Sequence, residues 1–326
     1  MVPKPAALAA LALAISLLAA TRTVDIQPAV ETEKLPVDVD DPSIWIHPSD
    51  PARSLIVGTV KRPKEEGGGL AVYSLEGNIV QRITGLDRPN NVDILGDICV
   101  ATERLARQLR VYRVYADAPH LRQIGTIPAF ASETGEAGAP MGISLYRRRR
   151  DKELFAIVSR KTGPREGYLW QYHISIFGDF VQAERVRQFG AFSGEAEIEA
   201  VAVDQDRELV YYSDEDCCVR VYRADPGATN ASIEVARFAE SGFKANREGI
   251  AIAGNVVIVT DQLTPTSEYH VFNRKSLKEI AIWKGQSEST DGLDAIARSM
   301  GPKFPKGFVI AMNNRDHNFH LYSWPR

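Results

Sequence analysis

Short apolar runs separated by Gly, Asn, Asp and Pro turns fill the chain, and they recur with a period. Six of them place an aromatic residue at a matching position: Ala71-Val72-Tyr73, Arg110-Val111-Tyr112, Trp170-Gln171-Tyr172, Arg220-Val221-Tyr222, His270-Val271-Phe272 and His320-Leu321-Tyr322. The aromatic positions step by 39, 60, 50, 50 and 50 residues. Apolar strands precede them, such as Leu55 to Thr59, Phe155 to Ser159 and Val256 to Thr260. Another strand comes earlier still, as in Ser43 to Ile46, Asn91 to Leu95 and Gly249 to Ala253. Turn signals such as Glu76-Gly77-Asn78 and Asp225-Pro226-Gly227 punctuate the runs. No long amphipathic helix pattern interrupts them. Six units of four antiparallel strands predict an all-β, six-bladed β-propeller. A pair of β-sandwiches fits the period poorly. A propeller must close, and Thr23 to Ala29 is the segment expected to add the outer strand of the last blade.

The first residues read differently. Lys4 and the apolar run Ala6 to Ala20 form the pattern of a secretory signal peptide, with cleavage near Ala19 to Thr23. The run is short for a membrane span. The expected division is a signal peptide over 1–22 and one propeller over 23–326. The mature chain is then secreted or periplasmic, free of the membrane and monomeric.

Composition narrows the partners. A net charge of -3 over 326 residues argues against nucleic acid, which demands a basic footprint. The run Arg147 to Arg150 is read as the cap of a solvated hairpin turn. Cys217 and Cys218 sit in a predicted strand, where neighbouring side chains point to opposite faces; pairing of Cys99 with one of them stays open. Cys217 and Arg223 have the spacing of a cysteine-phosphatase loop, but the strand-like Val219 to Tyr222 lacks the glycines such a loop needs.

The candidate chemistry gathers at one end of the propeller, in the loops before each first strand and after each second one. Before or at first strands stand Asp40-Asp41, Asn90-Asn91, Glu199, Glu248 and Asp291. After second strands stand Lys61-Arg62, Arg104, Lys161, Asp214-Glu215-Asp216, Asp261-Gln262 and Asn313-Asn314. Concentrated carboxylates repel unless neutralised, and calcium accepts many oxygens in irregular geometry. Lys61, Arg62, Arg104 and Lys161 come from the first three units and are expected to face the acids of the last three. Cationic clamps beside a metal suit phosphate.

Several stretches together carry a resemblance: Asp-Asp-Pro-Ser-Ile-Trp-Ile (40–46), Gly-Leu-Ala-Val-Tyr-Ser-Leu-Glu-Gly (69–77), Asn-Asn-Val-Asp (90–93), Gly-Ile-Ser-Leu-Tyr (142–146), Asp-Glu-Asp (214–216), Glu-Gly-Ile (248–250) and Thr-Asp-Gly-Leu-Asp (290–294). In order and over almost all the mature chain, they resemble the β-propeller phytases. That resemblance implies a six-bladed, calcium-dependent hydrolase of myo-inositol hexakisphosphate, presented as calcium phytate. It implies calcium ligands at Glu31, Asp40, Asp41, the Pro42 and Val92 carbonyls, Asp291 and Asn313. It also implies a catalytic calcium cluster at Glu199, Glu215, Glu248 and Gln262. Phosphate contacts fall to Lys61, Arg62, Arg104 and Lys161, and water attacks phosphorus directly.

Three positions depart from that family's pattern. Met141 stands where a tyrosine is usual, Gly285 where an aspartate is usual, and Asn246 where another aspartate is usual. They bear on the number and affinity of calcium ions. Two further readings stay open: a non-catalytic scaffold propeller, and a propeller hydrolase for another phosphoester or a lactone. Retention of both acids and bases speaks against the scaffold.

Overall fold

The computed structural model describes residues 21–325, and the segment read as a signal peptide lies almost wholly outside them. Six four-stranded antiparallel sheets stand in a ring, as the period predicts, one sheet carrying a fifth strand. Two short strands come first, β1 (Arg22–Asp25) and β2 (Pro28–Glu31). Blade one holds β3 (Val39–Trp45), β4 (Leu55–Val60), β5 (Gly69–Ser74) and β6 (Ile79–Thr84). Blade two holds β7 (Pro89–Leu95), β8 (Ile98–Glu103), β9 (Gln108–Val114) and β10 (Leu121–Pro128). Blade three holds β11 (Pro140–Arg147), β12 (Leu154–Arg160), β13 (Glu166–Phe177) and β14 (Phe180–Ala191). Blade four holds β15 (Val201–Asp204), β16 (Leu209–Asp214), β17 (Cys218–Arg223) and β18 (Ala236–Phe238). Blade five holds β19 (Arg247–Ala253), β20 (Val256–Asp261), β21 (Glu268–Asn273) and β22 (Glu279–Lys284). Blade six holds β23 (Leu293–Ile296), β24 (Phe308–Asn313) and β25 (Asn318–Ser323). The first strands β3, β7, β11, β15, β19 and β23 pack side by side around the axis.

Packing explains the sequence pattern. Each second strand is covered on both faces by the neighbouring blades, so β4, β8 and β12 are buried at every residue. The outer strand β6 instead alternates between half-buried and exposed, with water on one face. Six apolar clusters form the core, each lying between two adjacent blades.

The recurring aromatic has a specific task in three blades. Tyr172, Tyr222 and Tyr322 accept hydrogen bonds from the backbone N–H of Phe130 (2.8 Å), Ala191 (3.1 Å) and Gln286 (2.9 Å). Each acceptor ties the end of the preceding blade's outer strand to its own blade.

Closure differs from expectation. The outer strand of blade six is β2, paired antiparallel with β25, so only Pro28 and Ala29 of the expected segment take part. The earlier residues form β1, which adds in parallel to β22 and makes blade five five-stranded. The proline at position 28, which donates no hydrogen bond to the ladder, separates the two pairings.

The cysteines also differ. Cys217 lies in the turn after β16 and is joined to Cys218 by a disulfide, while Cys99 is free and buried. A turn lets adjacent side chains meet, which a strand would forbid. The arginine run does occupy the β11–β12 turn, where Arg148 pairs with Asp151 at 2.7 Å and Arg150 with Asp225. No helix among the described residues is long and apolar enough to cross a membrane.

Candidate functional site

A repeated backbone irregularity builds the site. Where β3, β7, β11 and β19 begin, two residues oppose one on the second strand, which is a β-bulge. The doubled pairs are Asp40-Asp41, Asn90-Asn91, Met141-Gly142 and Glu248-Gly249. Glu199-Ala200 and Asp291-Gly292 hold the same place before β15 and β23, where Ser213 and Met312 donate their N–H to Ala200 and Gly292 (3.1 and 3.0 Å).

A hydroxyl opposite the bulge fixes its neighbour. Thr59 donates to the Asn90 carbonyl (2.7 Å), Thr102 to Met141 (2.7 Å) and Ser213 to Glu248 (2.8 Å), each across a blade boundary. The second bulge residue must be small in blade three, because a Cβ on Gly142 would overlap the Glu199 carbonyl oxygen. The first bulge residues, Asp40, Asn90, Met141, Glu199, Glu248 and Asp291, therefore form a ring at one mouth of the channel. Met141 is its apolar member.

The ring is electrostatically tight. Lys61 Nζ lies 2.6 Å from Asp40, 3.3 Å from Glu199 and 3.8 Å from Asp291, carboxylates of blades one, four and six. Asn90 donates to Glu199 at 2.9 Å and to Asp40 at 3.4 Å, and its own buried oxygen has no partner. Gln262 hydrogen-bonds Asp291, and Asn246 reaches Glu215 at 3.4 Å. Glu248 is buried, with its backbone oxygen on Ser213.

Burial raises the Asp40 carboxyl well above the usual carboxylate range despite Lys61. Burial, with Glu215 and Glu199 beside it, does the same to Glu248. Burial and Glu199 push Glu215 up to about 8. Asp291 is also raised, chiefly by burial. Burial works against ionisation of Glu199 too, but Lys61 and Asn90 hold it below the ordinary value. Burial would lower the Lys61 ammonium, yet Asp40, Glu199 and Asp291 raise it well above its usual range.

The cations fan out from the ring. Lys161 pairs with Glu197. Arg104 is within 3.9 Å of exposed Glu136, and Arg62 within 4.0 Å of exposed Glu66. Burial and the neighbouring Arg88 lower the Arg104 guanidinium; burial and Arg104 lower the Lys161 ammonium. Charge that raises the cost of charge next to it marks a place prepared for an anion.

The other expected ligands sit apart from this ring. Asp41, one step deeper in the channel, accepts the Val92 N–H at 3.0 Å, so Asp41, Pro42 and Val92 are neighbours. Glu31 is exposed on β2 opposite His320. Asn313 turns into blade six, taking the Glu288 N–H at 3.0 Å and reaching Asn318 and His320. In the Asp-Glu-Asp stretch, Asp214 points inward to Arg220 (2.9 Å) and Asp216 is exposed. Asp261 likewise turns away from the mouth, into blade five.

Glu197 and Arg88 extend the site beyond the residues read from sequence. Glu197 stands two before Glu199 in an alternating Glu-Ala-Glu-Ile-Glu stretch, and that period of two was the available signal. Arg88 directly precedes the Pro-Asn-Asn bulge. Its N–H bonds to the Arg62 carbonyl (2.8 Å) and its carbonyl takes the Arg104 N–H (3.1 Å).

Whether the site suits a metal can be read from these groups. One oxygen each of Glu197, Glu199 and Glu215 lie within 4.8 Å of one another. Glu197 keeps a buried oxygen with no partner. The donor set is all oxygen and anionic, which fits a hard divalent cation.

The phytase family model matches residues 4–321. A curated relative, a 3-phytase of Bacillus subtilis (strain 168), is 26% identical over 318 residues, covering 87% of this chain and 79% of the relative.

Proposed function

The chain belongs to the phytase family, a group of phosphoric monoester hydrolases, and from that premise we propose that it is an exported, monomeric calcium-dependent phytase. The substrate is myo-inositol hexakisphosphate as its calcium salt. The observation that carries this reading is the contact of Lys61 with Asp40, Glu199 and Asp291 in a mouth that also holds Arg62, Arg104 and Lys161. Acids and bases in such proximity suit a polyanion bound together with cations.

On this reading Glu199, Glu215 and Glu248 hold the catalytic calcium ions, joined by Asp40, Asp291, Gln262 and Glu197. Glu31, Asp41, Asn313 and the Pro42 and Val92 carbonyls hold calcium with a structural role. Calcium supplies charge neutralisation and Lewis-acid activation of water. Lys61, Arg104 and Lys161 grip the phosphate that reacts, and Arg62 a neighbouring one. Donors of this kind would stabilise the charge that builds on the phosphate oxygens as the leaving oxygen departs. Asn90 and Asp40 hold Lys61 and Glu199 in place for that contact. Met141 offers no hydroxyl at its ring position, so phosphate orientation rests more heavily on the cations.

The test is phosphate release from inositol hexakisphosphate, with calcium and with a chelator. Activity should need calcium, and Glu215→Gln should lower kcat at least 100-fold while leaving the circular dichroism spectrum unchanged. Turnover that survives chelation, or no turnover with calcium, overturns the proposal.

A further inference from the structure

The last residue of the second strand and the third strand beside it meet in several blades, and what meets there differs. In blade two Glu103 takes a fork of bonds from Arg110, with Nε at 3.0 Å and Nη2 at 2.8 Å. In blade four Asp214 takes Arg220 Nε at 2.9 Å. In blade six the position is filled by amides: Asn313 Nδ2 lies 2.9 Å from Asn318 and 3.2 Å from His320 Nε2. At this position these three blades satisfy their polar atoms internally.

Blade five does not. Asp261 ends β20, Glu268 stands opposite it on β21, and His270 follows two residues on. His270 Nδ1 is held by Glu279 of β22. Its other nitrogen, Nε2, is buried with the ring 1% exposed and has no hydrogen-bond partner. The nearest acceptor, Asp261 Oδ2, is 3.8 Å away, too far for a hydrogen bond. Yet one ring nitrogen of His270 and one oxygen each of Asp261 and Glu268 lie within 4.8 Å of one another, and Nε2 is the nitrogen that faces Asp261. Phe243 stacks on the imidazole at 4.0 Å and fixes its plane.

A carboxylate on Nδ1–H sets the tautomer in which Nε2 presents a lone pair, and that is the usual support of a metal-binding histidine. A lone pair facing two carboxylates is repulsive unless a proton or a metal cation lies between, and at 3.8 Å a proton on Nε2 makes no hydrogen bond to Asp261. A gap of 3.8 Å is spanned by one ion with bonds of about 2.0–2.2 Å to each side. The carboxylates have other partners: Lys244 and Ala245 N–H groups on Asp261 (2.9 and 2.8 Å), and Lys244 and Lys284 on Glu268 (2.8 and 3.4 Å). Each carboxylate oxygen retains a second lone pair, and the lysines keep Glu268 ionised despite partial burial.

We infer that Asp261, Glu268 and His270 form a separate metal site, for a zinc-class divalent cation, oriented by Glu279. One imidazole nitrogen with two carboxylates suits zinc, whereas calcium takes oxygen donors throughout. The site joins three strands of blade five and stands outside the mouth ring.

Calorimetric titration of zinc into the intact chain, with calcium in excess, tests this. One zinc equivalent should bind that calcium does not displace. His270→Ala should abolish it, and Glu279→Gln should weaken it about 10- to 100-fold. If His270→Ala fails to fold, cobalt(II) added to the unmodified chain should give the visible absorption of a tetrahedral nitrogen–oxygen site, removed by one equivalent of zinc. Absence of zinc binding, equal binding by a folded His270→Ala, or an imidazole shown by NMR to carry both protons while zinc is present would overturn the inference.

Discussion

Lys61 is tied to carboxylates from three blades, so a single side chain governs the electrostatics of the mouth. Removing one partner from a buried ionic cluster leaves uncompensated charge, which typically destabilises by 3–5 kcal/mol. Lys61→Met should therefore lower unfolding stability by about 3 kcal/mol in the presence of chelator, and calcium should recover part of the loss. Urea melts with and without calcium check this, and an unchanged midpoint in chelator refutes it. A second residue acts through pH. Asp294 is half-buried against the channel, accepts the Ile44 N–H at 2.9 Å, and has its carboxyl pushed up by desolvation to about 7. Its folded value exceeds its unfolded one, so the protonated form favours folding. That stability is complete below about 4 and fades as pH rises through about 7. In chelator the melting temperature should fall between pH 5 and 8, and Asp294→Asn should flatten the fall; an equal slope in the variant would assign the titration elsewhere.

At the scale of the element, the bulge is what converts a structural repeat into a site. It turns one residue per blade toward the mouth, and at three boundaries the hydroxyl opposite locks the next blade's bulge. Thr102→Val keeps the shape but leaves the buried Met141 carbonyl short of its donor, and should cost about 1–3 kcal/mol by denaturant unfolding. A change below a few tenths would mean that water replaces the hydroxyl. The same element explains what sequence could tell. Strands, blade count and the cationic residues were legible, because burial by two neighbouring blades writes continuous apolar runs and a recurring aromatic. The bulges were not, since a register slip has no composition of its own; only Gly142, Gly249 and Gly292 hint at it. Asp214 and Asp261 were assigned to the mouth, because one residue of slip separates a side chain aimed at the channel from one aimed into its blade. The Cys217–Cys218 disulfide was missed for a related reason, a turn read as strand.

Across the whole molecule, the ring is closed by residues far apart in sequence. Strand β2 completes blade six, and Val30 and Leu35 fill the apolar cluster that joins blades six and one. Strand β1 does something different: it pairs in parallel with β22 and buries Ile26 against the cluster shared by blades five and six. Closure therefore rests on β2, while β1 covers an edge that would otherwise be open to pairing with another chain. The two should separate experimentally. A chain that begins at Gln27 keeps the closed ring and loses the burial of Ile26 and the pairing of β1 with β22, a deficit comparable to a core truncation of about 2–5 kcal/mol. Its unfolding should stay a single cooperative transition, with more association at high concentration because the β22 edge is bare. A chain that begins at Thr32 also strips β25 of its partner and empties part of the seam between the first and last blades. It should unfold in a broad or stepwise transition, and blade six should lose hydrogen-exchange protection before the others. Equal behaviour of the two truncations would mean that closure depends on the packed first strands rather than on β2.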